Sequence, residues 1–272
     1  MLIASMFALA AVSSVVLGTI YPLYYDYMTG QKISIGPFFY IATFVPLYIP
    51  MLFMAGIFGY MGWNSKLKPK IIIYFVIAFI ISAIIVYLIE TRSYIAMFAL
   101  LAACFLLIYT LHELYIFWQS KQIATNKLAM YISHLGLAGF VLCVVLNACL
   151  QYEADFVGGL DHKAEIDGFI FKLQDIKYSK NTEFVRQIAK FQITDKAGNE
   201  ISNLAPEHRL YNIEKVAISK THIHSFLFYD LYIALSRVQA DKVHAKIYYK
   251  PAMAFLWLSL FIMFLGPLLR VK

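Results

Sequence analysis

Six long hydrophobic stretches constrain this chain more than any other feature of its sequence. They cover residues 2–25, 37–63, 71–89, 94–118, 128–150 and 251–269, and each is close to the roughly 20 apolar residues that a helix needs to cross a bilayer. Hydrophobic residues make up 61% of the chain and charged residues 14%, whereas soluble proteins are only about half apolar. The sequence therefore predicts an integral membrane protein with about six transmembrane helices.

The first two stretches carry local signals that refine this prediction. Residues 2–25 have neither a basic start nor a clean small-residue cleavage site, so we expect a transmembrane helix there rather than a signal peptide. The second stretch contains Pro46 and Pro50. Because proline removes a backbone donor, we expect a kinked or locally broken helix.

Basic residues close to the membrane predict the orientation of the helices. On one side lie Lys66, Lys68, Lys70, Lys121, Lys127, Arg270 and Lys272, whereas the other side has Lys32, Arg92 and Lys250. Trp63 and Trp118 fall at the boundaries of the lysine-rich side, where interfacial aromatic residues are enriched. The positive-inside rule places the lysine-rich loops and both ends of the chain on the cytoplasmic side, or the matrix side in an organelle.

Between residues 151 and 249 the sequence changes to short segments that favour β-strands. They cover 169–178, 184–194, 210–219, 226–235 and 243–249, and some are separated by turn-forming residues at 195–199 and 205–207. We predict an all-β domain of roughly 100 residues on the outer side of the membrane. The predicted fold class is a membrane all-α bundle with this domain inserted: residues 1–150 form a transmembrane domain of five helices, 151–249 the β domain, and 250–272 the final transmembrane helix.

The distribution of charge and cysteine excludes several classes of function. The β domain has thirteen Lys or Arg and thirteen Asp or Glu residues, so the net charge of +7 belongs to the membrane part. That distribution indicates topology and predicts no nucleic-acid partner. Cys104, Cys143 and Cys149 lie in or beside hydrophobic stretches without a CxxC pair, which favours buried thiols. The sequence has no nucleophile elbow, Walker loop or HExxH motif.

His134 is the candidate site residue that stands out within the fifth stretch. It follows Ser133 and precedes Leu135-Gly136. An ionisable group within a membrane span is costly and is by default a candidate functional group, and neutral imidazole ligates haem iron. The alternative is a histidine that only hydrogen-bonds a neighbouring helix.

His112, beside Glu113 in the fourth stretch, is a second candidate. His112 and His134 lie at similar distances from the same membrane boundary on consecutive, oppositely directed spans, so spacing alone allows a bis-histidine haem site or a quinone-linked site. The alternative is that His112 reaches the headgroup region. In the β domain, His222 and His224 would share one face of a strand, but the spacing offers no third metal ligand, which favours solvated side chains.

Four sequence blocks, in this order, resemble the C-terminal half of CcmF-type cytochrome c haem lyases. They are Leu17-Gly18-Thr19-Ile20-Tyr21-Pro22 with Lys32-Ile33-Ser34-Ile35-Gly36-Pro37; Ser133-His134-Leu135-Gly136; Pro206-Glu207-His208-Arg209-Leu210-Tyr211; and Asp230-Leu231-Tyr232-Ile233-Ala234-Leu235 followed by Ile247-Tyr248-Tyr249-Lys250-Pro251. The resemblance covers nearly the whole chain, and its specificity comes from the order of the blocks.

This resemblance implies a subunit of the multi-subunit haem lyase of cytochrome c maturation. Such a subunit helps to transfer haem from a haem chaperone to the CxxCH motif of apocytochrome c. By resemblance, His134 is an axial ligand of a bound haem b, and the second ligand lies on a partner chain; His112 is the alternative that spacing offers. The implied location is the bacterial inner membrane or the mitochondrial inner membrane, with the β domain on the periplasmic or intermembrane-space side.

The chain departs from the family pattern in its length. Family members are more than twice as long, and their N-terminal half carries a tryptophan-rich haem-handling segment that has no counterpart in this sequence, whose tryptophans are Trp63, Trp118 and Trp257. We therefore expect this chain to be the C-terminal product of a split gene. Its expected partners are the separate N-terminal half, the haem chaperone, apocytochrome c, thiol-reducing maturation subunits and membrane lipid.

Two other classes of function remain open from the sequence. The chain would be a scaffold or docking module of the same assembly if it held no haem. A small-molecule transporter subunit is disfavoured because the predicted spans contain few polar groups.

Overall fold

The computed structural model describes residues 2–58, 69–120, 125–213, 215–239 and 242–269. The chain divides into two compact units, one formed by Met1–Val145 with Leu256–Lys272 and the other by Leu146–Phe255. Trp63, Lys66, Lys68, Lys121, Arg270 and Lys272, which were used to predict the orientation, lie outside the described residues.

Each of the six hydrophobic stretches is helical in the described part of the chain. The helices are α1 (Leu2–Thr29), α2 (Pro37–Thr43), α3 (Val45–Phe58), α4 (Ile71–Leu88), α5 (Tyr94–Gln119), α6 (Thr125–Leu150) and α7 (Met253–Leu268). In the described residues, four helices are long and apolar enough to cross a membrane, or five if α2 and α3 form one span. The last apolar helix, α7, is shorter and has 16 residues. The predicted fold class is confirmed, while the length criterion accounts for four or five of the six predicted spans.

The expected break in the second stretch occurs between α2 and α3. The two helices meet at Phe44 and are bent by 47° relative to each other. Pro46 is the second residue of α3. Proline is tolerated in the first turn of a helix, where its missing N–H would have no partner, but it disfavours helical backbone at the residue before it. The proline therefore favours a new helix start over a continuous span.

Helix α5 forms the centre of the helical unit and packs against α3 and α4. Its buried face includes Leu100, Phe105 and Leu106. The ring of Phe105 lies 5.8 Å from that of Phe75 on α4 and 6.3 Å from that of Phe53 on α3. A Cβ atom added at Gly56 of α3 would lie 2.7 Å from the Phe105 ring. The absence of a side chain at this glycine therefore lets α3 approach α5 closely.

The unit Leu146–Phe255 is a β-sandwich of two antiparallel sheets. Its strands are β1 (Tyr152–Gly158), β2 (Lys163–Ile166), β3 (Phe169–Lys180), β4 (Phe184–Asp195), β5 (Glu200–Leu204), β6 (Glu207–Tyr211), β7 (Ala217–Lys220), β8 (His222–Ser225), β9 (Tyr229–Gln239) and β10 (Lys242–Pro251). One sheet has the order β1-β10-β9-β8 and the other β2-β3-β4-β6-β7, with β5 also paired to β4.

Alternating side chains of the long strands form the core of the sandwich. Fully buried residues include Phe171 and Leu173 on β3, Phe191 on β4, and Ile233 and Ile247 on β9 and β10. Since side chains alternate between the two faces of a strand, these residues point between the sheets while their neighbours point outward. The register shifts between Leu173 and Asp175 of β3 and between His244 and Ala245 of β10, which marks β-bulges.

The segments predicted as strands agree in part with the observed ones. Residues 169–178, 184–194 and 243–249 lie within β3, β4 and β10, while 226–235 overlaps β9. The segment 210–219 contains the end of β6, a turn and most of β7 rather than one strand. The predicted turn at 195–199 is confirmed: the Asn199 amide donates to Oδ1 of Asp195 at 2.8 Å, and Gly198 has φ +87°. Strands β1, β2, β5 and β8 were not predicted.

Candidate functional site

His134 lies in the first half of α6, nine residues after the helix begins at Thr125. At about 1.5 Å rise per residue, this places it roughly 14 Å along the helix axis. The side chain is half-buried. Ser133, Gly136 and Gly139 near it are small residues, and small residues are typical of close contacts between membrane helices.

Glycines bring the backbones of α6 and α7 together beside His134. A Cβ atom added at Gly136 would overlap the backbone of Met263, and one added at Gly266 would overlap Ser133 and the carbonyl of Ala129. A Cβ at Gly139 would lie 2.8 Å from Oγ of Ser259. These glycines therefore allow close contact between α6 and α7, although the contacting residues are more than 100 positions apart along the chain.

A proline in α7 adds a polar interaction to this contact. Pro267 has no N–H, so the carbonyl of Met263, four residues earlier, has no donor from the helix backbone at that position. Oγ of Ser133 donates to this carbonyl at 3.4 Å. Side chains of neighbouring helices commonly satisfy backbone groups that proline frees in a membrane helix. The interaction holds α7 against the residue next to His134.

A cleft of about 560 Å³ lies at this junction. Its described lining residues are Asn126, Ala129, Met130, Ser133 and His134 of α6 with Gly266 and Pro267 of α7. The volume is within the range of small-molecule and cofactor sites, roughly 300–1,000 Å³. The lining combines one imidazole with mainly small or apolar residues, and neutral imidazole is a common ligand for metals and haem iron.

His112 lies in a different cleft, which is lined by α4 and α5. Its half-buried ring is 4.7 Å from the ring of Tyr74 on α4. The cleft measures about 350 Å³ and also contains Tyr109, Glu113 and Lys70. Glu113 is buried, with 9% of its surface exposed. This cleft combines an acid, an imidazole and two phenols, whereas the cleft at His134 is mainly apolar.

The two candidate histidines therefore line separate clefts, which have no lining residue in common among the described residues. The contact between His112 and Tyr74 was not expected from the sequence, which offered only the headgroup region as the alternative for His112. The assignment of His112 as a second haem ligand remains a prediction from spacing.

The histidines of the β domain make hydrogen bonds to its own strands. His222 and His224 lie on β8, so the segment that carries them is extended. Nδ1 of His222 accepts a hydrogen bond from the Ala205 amide at 2.8 Å, and Nδ1 of His224 lies 2.8 Å from Oγ of Ser202. In the described part of the chain, no group of three or more His, Cys, Asp or Glu side chains is arranged to hold a metal ion. The two rings connect β8 to the β5 segment.

The block at residues 206–211 forms a polar cluster on the outer face of β4 and β6. Nε and Nη2 of Arg209 donate to Oε2 of Glu207 at 2.8 and 2.6 Å, and the guanidinium lies 4.8 Å from the centre of the Phe184 ring. Nη1 of Arg186 is 3.6 Å from Oε1 of Glu207. The hydrogen bonds that Arg209 donates to Glu207 raise the pKa of Arg209 above its usual value. This geometry links two strands and indicates a structural role for the motif.

Sequence reasoning did not identify the residues of α7 that complete the cleft at His134. Gly266 and Pro267 carry no chemistry of their own, and the sequence does not show which helix α6 packs against. The available signal was the pair of small residues Ser133 and Gly136 beside His134, since small residues mark helix contacts in membranes.

Comparison with known families identifies relatives of both parts of the chain. Residues 150–251 match the family model of the CcmF C-terminal beta-sandwich. The cytochrome c-type biogenesis protein CcmF of Pseudomonas fluorescens is 23% identical over 91% of this chain, and CcmF of Escherichia coli K12 is 25% identical over 96%. The cytochrome c-type biogenesis protein NrfE of Haemophilus influenzae is 22% identical over 96% of the chain.

A solved structure has the same fold. The cytochrome c haem lyase CcmF superposes on 98% of this chain with a TM-score of 0.72 and 16% sequence identity. The chain covers 39% of the Pseudomonas fluorescens protein, 41% of the Escherichia coli protein and 44% of the solved structure. It therefore spans about two-fifths of the length of these relatives. The resemblance predicted from the four sequence blocks is confirmed.

Proposed function

From its relationship to the C-terminal part of the CcmF cytochrome c-type biogenesis proteins, we propose that this chain is a subunit of a haem lyase that attaches haem to apocytochrome c. In this proposal His134 is an axial ligand of a haem b in the membrane. The observation that carries it is the position of His134 in a cleft of about 560 Å³ between α6 and α7, with mainly small or apolar residues around the imidazole.

The described residues fit one side of a haem site. The cleft supplies one imidazole, and Ala129, Gly266 and Pro267 in its lining are small or apolar. When bound, the haem would supply reversible one-electron chemistry, which two axial imidazoles in a low-dielectric bundle favour. His134 would hold the iron, and the contact of Ser133 with Met263 would fix the helix that carries it. The second ligand would come from the N-terminal half of the haem lyase, with His112 as the less favoured alternative.

The proposal also assigns a location and partners. The chain would lie in a bacterial or mitochondrial inner membrane, with the sandwich on the periplasmic or intermembrane-space side. The positive-inside rule supports this orientation, since Lys70 precedes α4 and Lys127 lies in the first turn of α6. The partners would be the haem chaperone, apocytochrome c, thiol-reducing maturation subunits and the N-terminal half.

A difference spectrum tests the haem site directly. The chain is purified with its N-terminal partner, and reduced-minus-oxidised absorption spectra are compared for the wild type, His134→Ala and His112→Ala. We expect a b-type spectrum that is lost, or reduced about tenfold, in His134→Ala, because loss of a metal ligand or of its support costs at least 10–100-fold in affinity. His112→Ala is the matched control and should keep the spectrum.

Other outcomes of this experiment distinguish the alternatives. An unchanged spectrum in His134→Ala would place the haem elsewhere and leave this chain as a scaffold or docking module. Loss of the spectrum in both variants would favour the bis-histidine arrangement within this chain. A wild-type complex without haem would contradict the haem site, and the docking module would then be the better explanation.

A further inference from the structure

The two points at which the sandwich joins the apolar helices lie side by side. Helix α6 ends at Leu150 and α7 begins at Met253. Tyr152 of β1 pairs with Tyr249 of β10, and Nδ2 of Asn147 donates to the carbonyl of Pro251 at 2.8 Å. Because α6 is long and apolar enough to cross a membrane, we expect the end of the sandwich that carries both connections to face the membrane.

The turn between β8 and β9 is at the same end of the sandwich. Its residues are Phe226-Leu227-Phe228, and the next residue, Tyr229, pairs with Pro251. The Ala252 amide donates to the carbonyl of Phe228 at 2.7 Å. The ring of Phe228 lies 5.7 Å from the ring of Phe255 in the first turn of α7. These contacts place the turn at the level of the first residues of an apolar helix.

Leu227 and Phe228 are nevertheless largely exposed. Their exposed fractions are 62% and 66%. Two adjacent large apolar side chains at the tip of a turn are unusual, since turns favour Gly, Pro, Asn, Asp and Ser. The other sheet presents a polar turn, Asp195-Lys196-Ala197-Gly198-Asn199, in which Lys196 pairs with Glu165 at 3.2 Å. Exposed apolar side chains also occur in the β6–β7 turn of that sheet, at Ile213 and Val216, but the β8–β9 turn is the one that contacts the start of α7.

A cluster of aromatic rings lies directly behind the turn. The ring of Tyr229 is 5.3 Å from the rings of both Phe169 and Tyr249, and the ring of Tyr152 is 6.1 Å from that of Tyr249. Tyrosines, with an apolar ring and a polar hydroxyl, are enriched where a membrane meets water. Going from the tip of the β8–β9 turn into the sandwich, the apolar side chains come first and the tyrosines follow.

We propose that the β8–β9 turn inserts Leu227 and Phe228 into the lipid bilayer, so that the sandwich makes a membrane contact of its own besides its two covalent connections. Lipid is the occupant that the geometry favours, because the level of the turn is fixed by its hydrogen bond and ring contact to the start of α7. Interfacial apolar groups typically lie about 5–10 Å deep, at the boundary between headgroups and acyl chains. The proposal does not depend on a haem site.

Spin labelling of the full chain in phospholipid vesicles tests this contact. A nitroxide is attached at Leu227→Cys, and its relaxation by oxygen, which concentrates in lipid, is compared with relaxation by a water-soluble nickel chelate. The matched control is Leu160→Cys, because Leu160 is also a leucine in a turn and is 58% exposed. It follows β1, whose last residue Gly158 lies six residues from Tyr152, roughly 20 Å along the strand from the connection to α6 at 3.3 Å per residue.

We expect a severalfold higher ratio of oxygen to nickel relaxation at residue 227 than at residue 160. Equal ratios with strong nickel relaxation at both positions would overturn the proposal, because the turn would then lie in water. A label at residue 227 shielded from both reagents would also overturn it, in favour of a protein occupant. The unsubstituted chain gives the background from native thiols, of which Cys104 and Cys143 are buried. Phe228→Cys is a second site that should behave as Leu227→Cys does.

Discussion

The helical unit and the sandwich place their large apolar side chains in opposite environments. In α4, Ile72, Phe79 and Ile80 are more than half exposed in the isolated chain. In the sandwich, Phe171, Phe191 and Ile233 are completely buried. Both regions are rich in the same residue types. The difference therefore reflects their surroundings, which are water for the sandwich and lipid for the apolar helices.

This contrast shows that burial of apolar area stabilises the two units to different extents. Apolar side chains of the sandwich leave water when it folds, and this transfer is the main favourable contribution. Apolar side chains on a membrane helix are in contact with lipid before and after the helices associate. The helical unit must therefore depend on close packing, such as that at Gly136 and Gly266, and on a few polar contacts.

The largest expected effect is the difference between truncating a buried phenylalanine of the sandwich and truncating an exposed one of the helical unit. Phe191→Ala removes a buried ring that lies 5.0 Å from the ring of Phe156, and we expect a loss of about 3–5 kcal/mol in the free energy of unfolding of the sandwich. Phe79→Ala, whose side chain is 56% exposed on α4, should change stability little. Hydrogen exchange in vesicles measures both effects: amides of β3 and β4 report on Phe191→Ala, and amides of α4 report on Phe79→Ala. Similar losses in the two variants would contradict the comparison.

A smaller effect is expected from adding one methyl group where helices touch. Gly136→Ala places a Cβ against the backbone of Met263, and overpacking of this kind costs typically about 1–3 kcal/mol. Gly36→Ala is the matched control, because nothing lies within 4 Å of its Cβ position. The midpoint of thermal unfolding in detergent should fall for the first variant only. If Gly136→Ala were as stable as the control, close packing of α6 with α7 would not be what holds α7.

The smallest expected effect concerns pH and is confined to the sandwich. Burial lowers the pKa of His208 on β6 below its ordinary value of 6.5, so the unfolded chain binds a proton more readily than the folded one. Stability should therefore fall as pH decreases through 6.5 and level off below the folded pKa. His208→Gln should weaken this dependence. Hydrogen exchange of the β6 amides between pH 5 and 8 checks the slope, and an unchanged slope in the variant would exclude His208 as its source.

Sequence patterns predicted elements well where one environment dominates. The hydrophobic stretches became helices because roughly 20 apolar residues have few other stable states in a bilayer. The long strands β3, β4 and β10 were found because β-favouring residues persist along them. Strands such as β2, Lys163-Ala164-Glu165-Ile166, were missed because they are short, include charged residues and become strands only by pairing with a neighbour.

The candidate site was predictable only in part. His134 was found because an ionisable side chain in an apolar stretch is costly. The cleft beside it depends on α7, which is separated from α6 by the whole sandwich, and no periodicity in either helix specifies the other as a neighbour. The contact of Ser133 with Met263 depends further on Pro267, whose effect appears four residues earlier in the helix.

The pairing of Tyr152 with Tyr249 has a consequence for how the gene can be edited. An insertion whose two ends are neighbours places little demand on the host fold, which is why domains with adjacent termini are readily moved between proteins. Replacing 152–249 with a two-residue hairpin connection would leave α6 and α7 joined at nearly their present spacing. The sandwich is therefore a cassette, and membrane segments from one relative could be recombined with the sandwich of another at these two tyrosines.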